Sequence, residues 1–132
     1  MRIHSVNLRV RYQETDQMGV VYYANYYVWF EVARTEYFRS LGFPYRNLEK
    51  DGIYLVAVNS SCQYKQPAHY DDQITVKSRI SSIKNTSFIF EYEVERDKDI
   101  LAVGKTVHVF INRKSKPVKI PAKVRELIER QI

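Results

Sequence analysis

Apolar and polar residues alternate at the start of the chain, where Val6, Leu8, Val10 and Tyr12 are separated by Asn7, Arg9 and Arg11. A period of two belongs to a strand with one buried face, and it predicts a first strand ending near Tyr12. Residues 13–20 break the alternation with Gln, Glu, Thr, Asp and one Gly, and read as a loop. From Ala24 to Leu41 there is no Gly or Pro, and Tyr26, Trp29, Phe30, Ala33, Tyr37 and Leu41 recur at steps of three and four. That is the period of a helix. Its first half is apolar nearly all round, with Asn25 and Glu31 the strongly polar exceptions, which predicts a helix covered on most sides. Gly42 stops it, Pro44 prevents its resumption, and a loop follows to about Gly52.

Strand patterns occupy the rest, at roughly 53–66, 73–83, 87–96 and 100–112. Ile74, Val76 and Ile80 share one face of their strand, as do Phe88, Phe90, Tyr92 and Val94 of theirs. The connections at Lys84-Asn85-Thr86 and Asp97-Lys98-Asp99 have the length and polarity of antiparallel hairpins. Residues 121–132 open with Pro121 and set Val124, Leu127 and Ile128 on one helical face. The order is β-α-β-β-β-β-α. A central helix of about 18 residues is roughly 27 Å long, so the expectation is a single α+β domain over 1–132, with an antiparallel sheet of about five strands wrapped around one long helix and a short C-terminal helix. A sheet that wraps an apolar helix incompletely calls for a partner subunit.

Composition narrows the chemistry. The chain has 132 residues, 45% hydrophobic and 27% charged, an ordinary globular balance. Its one cysteine, Cys62, excludes an internal disulfide and any multi-cysteine metal site. No apolar run approaches the ~18 residues of a membrane span, and the first residues lead into a strand instead of a leader; a cytoplasmic protein is expected. The net charge is +6, and residues 98–125 hold eight Lys or Arg against one acid, Asp99. Such a segment favours an anionic partner. Nucleic acid is disfavoured because no helix-turn-helix or RNA-recognition motif accompanies the charge.

Several kinds of site are missing from the sequence. His4, His69 and His108 flank no G-x-S-x-G elbow, and Cys62 lies mid-strand in Asn59-Ser60-Ser61-Cys62. No His-x-x-x-His pair or acidic calcium loop is present, so no metal or other cofactor is expected; His69 reads as a turn residue after Pro67. Gly19, Gly42, Gly52 and Gly104 are too far apart to cradle phosphate. What remains is the loop-to-helix junction Tyr12-Gln13-Glu14-Thr15-Asp16-Gln17-Met18-Gly19-Val20-Val21-Tyr22-Tyr23-Ala24-Asn25-Tyr26. An acid before a buried helix is commonly a cap or turn residue. It also has a chemical use, because the helix N-terminus offers unpaired N–H groups to a developing oxyanion while the acid serves as nucleophile or general base.

This junction, with its D-x-x-G-V-V-Y-Y-x-N-Y run from Asp16 to Tyr26, resembles the signature of the hotdog-fold acyl-CoA thioesterases of the 4-hydroxybenzoyl-CoA thioesterase type, including the branch encoded near the bacterial Tol-Pal genes. Supporting similarities are the Arg34–Leu41 helix end with Gly42, the Tyr70-Asp71-Asp72 turn and the Thr86-Ser87-Phe88 segment, so nearly the whole chain is covered. The resemblance implies hydrolysis of a thioester to free acid and coenzyme A. It implies Asp16 as the carboxylate that attacks the carbonyl or activates water, the Tyr23 backbone N–H as oxyanion donor, and Gly19 as the residue that turns Asp16 back toward the helix. Part of the family has His at the position of Tyr23; a backbone donor is indifferent to that change. A non-hydrolytic module holding acyl-CoA or an acyl-carrier protein is the rival reading, and a hotdog dehydratase is disfavoured because no His lies near Asp16.

Glu31, nearly alone on the apolar half of the helix, needs a partner or a function if buried. Arg34 or Thr35 is the structural partner; the alternative is that Glu31 faces the acyl pocket and favours an acyl group with a polar tip. Tyr22, Tyr26, Tyr27, Trp29 and Phe30 divide between core and acyl tunnel, with Tyr26 the tunnel candidate. For the CoA phosphates the resemblance points to the hairpin of Lys84, Thr86 and Ser87, with Lys114 and Lys116 as substitutes. Eleven aromatics lie between Tyr12 and Tyr45, around this junction. A homodimer or homotetramer with sites at a subunit interface is expected.

Overall fold

Strand β1 (His4–Arg9) alternates half-buried and exposed residues as the sequence pattern requires. Val10 extends the pairing by donating to the Asp72 carbonyl, and the strand ends before Tyr12 because a 3₁₀ turn starts there. Val10 stays in the core while Tyr12 turns out to solvent. The computed structural model describes residues 2–43 and 45–132; the expectation for Pro44 falls outside them. Helix α1 (Asn25–Ser40) is followed by a short helix α2 (Tyr45–Lys50) where the sequence predicted only a loop. Strands β2 (Tyr54–Tyr64), β3 (Gln73–Ile83), β4 (Ser87–Arg96) and β5 (Asp99–Ile111) follow, then a two-residue strand β6 (Pro117–Val118) and helix α3 (Ala122–Glu129).

The strands form one antiparallel sheet in the order β1-β3-β4-β5-β2, the five expected, with the two-residue β6 pairing the end of β5 as a sixth. The register puts Ile80 opposite Phe90 and Val76 opposite Val94, and those side chains meet α1. Register shifts at Ala57/Asn59, Ile80/Ser82 and Val94/Glu95 bend and twist the strands, and the sheet curls around the helix. Within the core Phe30 stacks on Tyr92 with ring centroids 4.3 Å apart, and Gly104 lies where any side chain would collide with them. A Cβ built there comes within 2.3 Å of Phe30 Cζ. Gly104→Ala should therefore cost about 1–3 kcal/mol by overpacking, read as a lower urea midpoint with an unchanged slope.

Two surfaces of the single chain are left open. β2 is an edge strand whose residues from Ala57 to Ser61 are exposed, and α1 shows Val28, 46% exposed, and Glu31 on its neighbouring stripe. β2 runs antiparallel to α1. At one end of this seam the Tyr64 hydroxyl donates to the Tyr23 carbonyl; at the other, Arg34 and Ala57 line the same cavity. Among the described residues no helix is long and apolar enough to cross a membrane.

Candidate active site

Asp16 stands on a tight turn between two short antiparallel bridges, Thr15 with Val21 and Val20 with His69. Its backbone carbonyl accepts from Gly19 N–H at 3.0 Å, and its N–H donates to the Val20 carbonyl at 2.9 Å. Gly19 sits at φ 79°, a backbone region that costs glycine nothing, and its N–H closes the turn on the Asp16 carbonyl. Asp16 is half-buried, and its Oδ1 accepts from the Met18 N–H at 2.8 Å. One carboxylate oxygen thus holds the turn, the structural reading of an acid before a helix, and Oδ2 has no hydrogen-bond partner among the described residues.

Two segments hold this turn. On one side Glu14 is buried, 5% exposed. Its Oε1 accepts from the Arg11 N–H at 2.8 Å, its Oε2 from the Trp29 indole N–H at 2.8 Å, and the Arg11 guanidinium lies 3.8 Å away. The Glu14 carbonyl accepts from the Tyr22 N–H and from the Asn25 side-chain amide, at 2.9 and 2.8 Å. The start of α1 and the residue Tyr22 before it are thus tied to Glu14, two places before Asp16, through Tyr22, Asn25 and Trp29. On the other side Val21 N–H donates to the Ala68 carbonyl, and Asp72 fixes the 67–72 turn by accepting from His69 N–H at 2.9 Å and from Arg96 at 2.8 Å. Burial raises the Asp72 carboxyl, but the His69 N–H and the Arg96 guanidinium outweigh it and hold the group below its ordinary value.

The result is a helix start with unspent donors. Asn25, Tyr26 and Tyr27 N–H groups bond back to the carbonyls of Tyr22, Tyr23 and Ala24. The N–H groups of Tyr23 and Ala24 have no acceptor among the described residues. Tyr23 is 59% exposed. An open N–H pair at a helix N-terminus and a carboxylate on the preceding turn are suited to acyl transfer, with donors for an oxyanion and a base or nucleophile nearby.

Other expected residues are placed differently. Glu31 is exposed on the open stripe of α1 and makes no hydrogen bond or ion pair among the described residues, so the premise that it is buried in the chain is corrected; the sheet does not reach that stripe. Tyr26 is buried, 3% exposed, with its ring 4.8 Å from Trp29 and 5.0 Å from Tyr64; it backs the site from within. Lys84, Thr86 and Ser87 lie on the β3–β4 hairpin at the opposite end of the sheet from Asp16, a strand length of about 30 Å away. The structure does not bring them together in one chain. Lys114 and Lys116 lie at that same far end, on the turn after β5 that Asn112 closes. Glu14 was not anticipated, although a readable signal existed: Asn25 and Trp29, four apart on one helix face, are both donors that need an acceptor.

A curled antiparallel sheet around one long helix defines a hotdog fold. The family follows from comparison with known proteins: residues 10–128 match the thioesterase-like superfamily, and the chain belongs to it. It is 36% identical over 124 residues to acyl-CoA thioesterase YbgC of Haemophilus influenzae, covering 92% of this chain and 90% of that protein. Among solved structures, DHNA-CoA thioesterase from Staphylococcus aureus superposes with a TM-score of 0.95 at 30% identity, over 98% of this chain and 91% of the other. The gentisyl-coenzyme A thioesterase BH1999 does so with 0.87 at 32%, over 92% and 99%.

One buried group outside this site titrates abnormally. His108 is 1% exposed, and burial, aided by the Arg34 charge, pushes its imidazole down to about 3 from 6.5. The unfolded chain therefore binds a proton that the folded one refuses. The corresponding stability is complete above pH ~6.5 and is lost as the pH falls toward 3, at up to about 1.4 kcal/mol per pH unit. Urea midpoints measured from pH 7 to 4 should fall more steeply for the wild type than for a folded His108→Phe variant.

Proposed function

We propose that the protein hydrolyses an acyl-CoA thioester to the free acid and coenzyme A, with Asp16 as nucleophile or general base and the Tyr23 N–H as oxyanion donor. The observation that carries this is the pair of N–H groups, of Tyr23 and Ala24, without acceptors at the start of α1, together with a carboxylate held on the turn that precedes them in the chain. The thioester carbonyl oxygen accepts from Tyr23 N–H and, as charge develops on it, that hydrogen bond strengthens. Asp16 either attacks the carbonyl carbon and expels the CoA thiolate, leaving an anhydride for water to open, or takes the proton of an attacking water. Release of thiol from a panel of short, long and aromatic acyl-CoAs tests the reading; binding of those thioesters without turnover would leave only a carrier module.

The complete site needs a second copy, paired edge to edge along β2. Antiparallel pairing of two β2 strands about a twofold axis sets the Tyr54 end of one against the Tyr64 end of the other. That single operation covers Val28 and Val58, 46% and 58% exposed, and satisfies the open edge. It also carries Lys84, Arg113, Lys114 and Lys116 of the partner subunit to the end of the sheet that holds Asp16, where a CoA phosphate can meet them. The separation found within one chain is what this arrangement removes. Val58→Asp should weaken the dimer by about 3 kcal/mol or more, roughly a hundredfold in dissociation constant. Sedimentation should show a shift to monomer, and turnover should fall in parallel with it.

A further inference from the structure

The second of the two N–H groups without an acceptor belongs to the peptide that joins Tyr23 to Ala24. A peptide is planar, so whatever holds its carbonyl also fixes the direction of its N–H. The Tyr22–Tyr23 peptide is held by the helix itself, since the Tyr22 carbonyl accepts from Asn25 N–H at 2.9 Å. The Tyr23–Ala24 peptide is held less well from that side: its carbonyl accepts from Tyr26 N–H at 3.3 Å, long for such a bond. Ala24, at the N-cap, brings no side-chain cap. A second hold comes from another element. Tyr64, the last residue of the edge strand β2, donates its hydroxyl to the same Tyr23 carbonyl at 3.1 Å. Its ring is fixed by two edge-to-face contacts, with centroids 5.0 Å from Tyr26 and 6.3 Å from Tyr23. Tyr26 is in turn buried against Trp29, whose indole donates to Glu14. Tyr64 is 45% exposed, and a hydroxyl that water could serve as well adds little to stability, so the fold gains little from this bond.

We infer that Tyr64 is a positioning residue for the reaction: by holding the Tyr23 carbonyl it aims the Ala24 N–H at the thioester oxygen, as a second oxyanion donor beside the Tyr23 N–H. This rests on the thioesterase reading. Two effects act through the one peptide. The hydroxyl restrains rotation of the peptide plane, on which the angle of the donor depends. The hydrogen bond at the carbonyl also draws electron density from the nitrogen, which makes the N–H on the other side of the peptide a stronger donor. Both effects are largest when the substrate oxygen carries developing charge, so they act on kcat more than on KM. Tyr64 itself touches no reacting atom. The two donors are therefore set by different elements, the Tyr23 N–H by the first turn of α1 and the Ala24 N–H by that turn and the end of β2 together.

The test measures thiol release from a panel of acyl-CoAs, in single turnovers so that product release does not mask the chemical step, with each variant checked by circular dichroism and urea unfolding. Tyr64→Phe keeps the ring between Tyr23 and Tyr26 and loses only the hydroxyl. Its maximal rate should fall about tenfold, with the half-saturating substrate concentration and the urea midpoint nearly unmoved. Tyr64→3-fluorotyrosine, assayed while its more acidic hydroxyl is protonated, should restore the lost rate. Ala24→lactic acid turns the Tyr23–Ala24 peptide into an ester of the same shape without the N–H, and should cost about a hundredfold or more. Tyr64→Phe added to that ester should cost nothing further, because the group it acts through is gone. The fluorotyrosine comparison needs no backbone change and decides alone if the ester chain does not fold. An unchanged rate in Tyr64→Phe, a loss that the fluorinated hydroxyl does not repair, or the same tenfold loss on top of the ester overturns the inference and leaves the hydrolytic reading standing. No thiol release by the wild type from any of the acyl-CoAs overturns both.

Discussion

Asp16→Asn should leave a folded, dimeric protein whose turnover of any accepted acyl-CoA falls by about a thousandfold or more. The substitution is structurally mild. An asparagine Oδ1 accepts from the Met18 N–H as the aspartate does at 2.8 Å, asparagine tolerates the same turn, and the half-buried site loses no partner; stability should change by no more than about 0.5 kcal/mol. The chemistry has no such tolerance, because an amide is neither a base near neutral pH nor a carboxylate nucleophile. Loss of a positioned general base alone is worth about 10²–10⁴-fold, and loss of a nucleophile at least that. Binding of the thioester should persist, since the Tyr23 N–H and the phosphate contacts do not depend on the charge of residue 16. Two routes separate in the wild type's first turnover. An anhydride on Asp16 releases thiol in a burst ahead of the acid and yields a hydroxamate with hydroxylamine, whereas base-assisted attack of water releases thiol and acid together. Wild-type turnover in the folded variant would remove Asp16 from the reaction.

How legible all this was depended on the distance over which each feature is determined. β3 and β4 were expected at 73–83 and 87–96 and occur as Gln73–Ile83 and Ser87–Arg96, because alternation with one buried face is a local property. α1 was similarly readable from its spacing. α2 spans six residues, too few to show a period, and β6 exists only because β5 extends far enough to pair it. The alternation holds through Val10 and misled only at Tyr12, where the 3₁₀ turn begins and leaves the ring in solvent. Glu31 was misplaced because a helix apolar all round implies cover without saying whether the cover belongs to the same chain. The residues of the acid-bearing turn came from their resemblance to a family and not from periodicity, which left a cap as good a reading. The hold of the Tyr64 hydroxyl on the Tyr23 carbonyl was beyond reach, since it exists only through the way the end of β2 lies beside the start of α1.

Glu14 should prove the most sensitive position that touches no substrate. Its carboxylate is buried and accepts from the Arg11 N–H and the Trp29 indole N–H, both at 2.8 Å. Removing it by Glu14→Ala strands the buried Trp29 indole N–H and the part-buried Arg11 N–H and leaves a void beside Trp29, a loss of about 3 kcal/mol or more. In a domain whose total stability is of order 5–15 kcal/mol that is a large fraction, and the urea midpoint should show it directly. Glu14→Gln makes the sharper comparison. A glutamine offers one oxygen to two donors and turns an N–H toward the other, so about 1–3 kcal/mol should be lost while the side-chain volume is kept. The consequence for activity follows from what Glu14 joins. Its side chain holds Trp29 of α1, and its backbone holds Tyr22 and Asn25, so it sets the place of the Tyr23 N–H relative to the turn that bears Asp16. Displacing those two groups by an ångström is enough to cost about a hundredfold in rate. Glu14→Gln should therefore lower kcat by about 10–100-fold with a much smaller change in KM, in protein shown to be fully folded at the assay temperature. A fall in stability with kcat unchanged would make Glu14 a support of the fold alone; a fall in kcat well below the unfolding transition would make it the residue that aims the site.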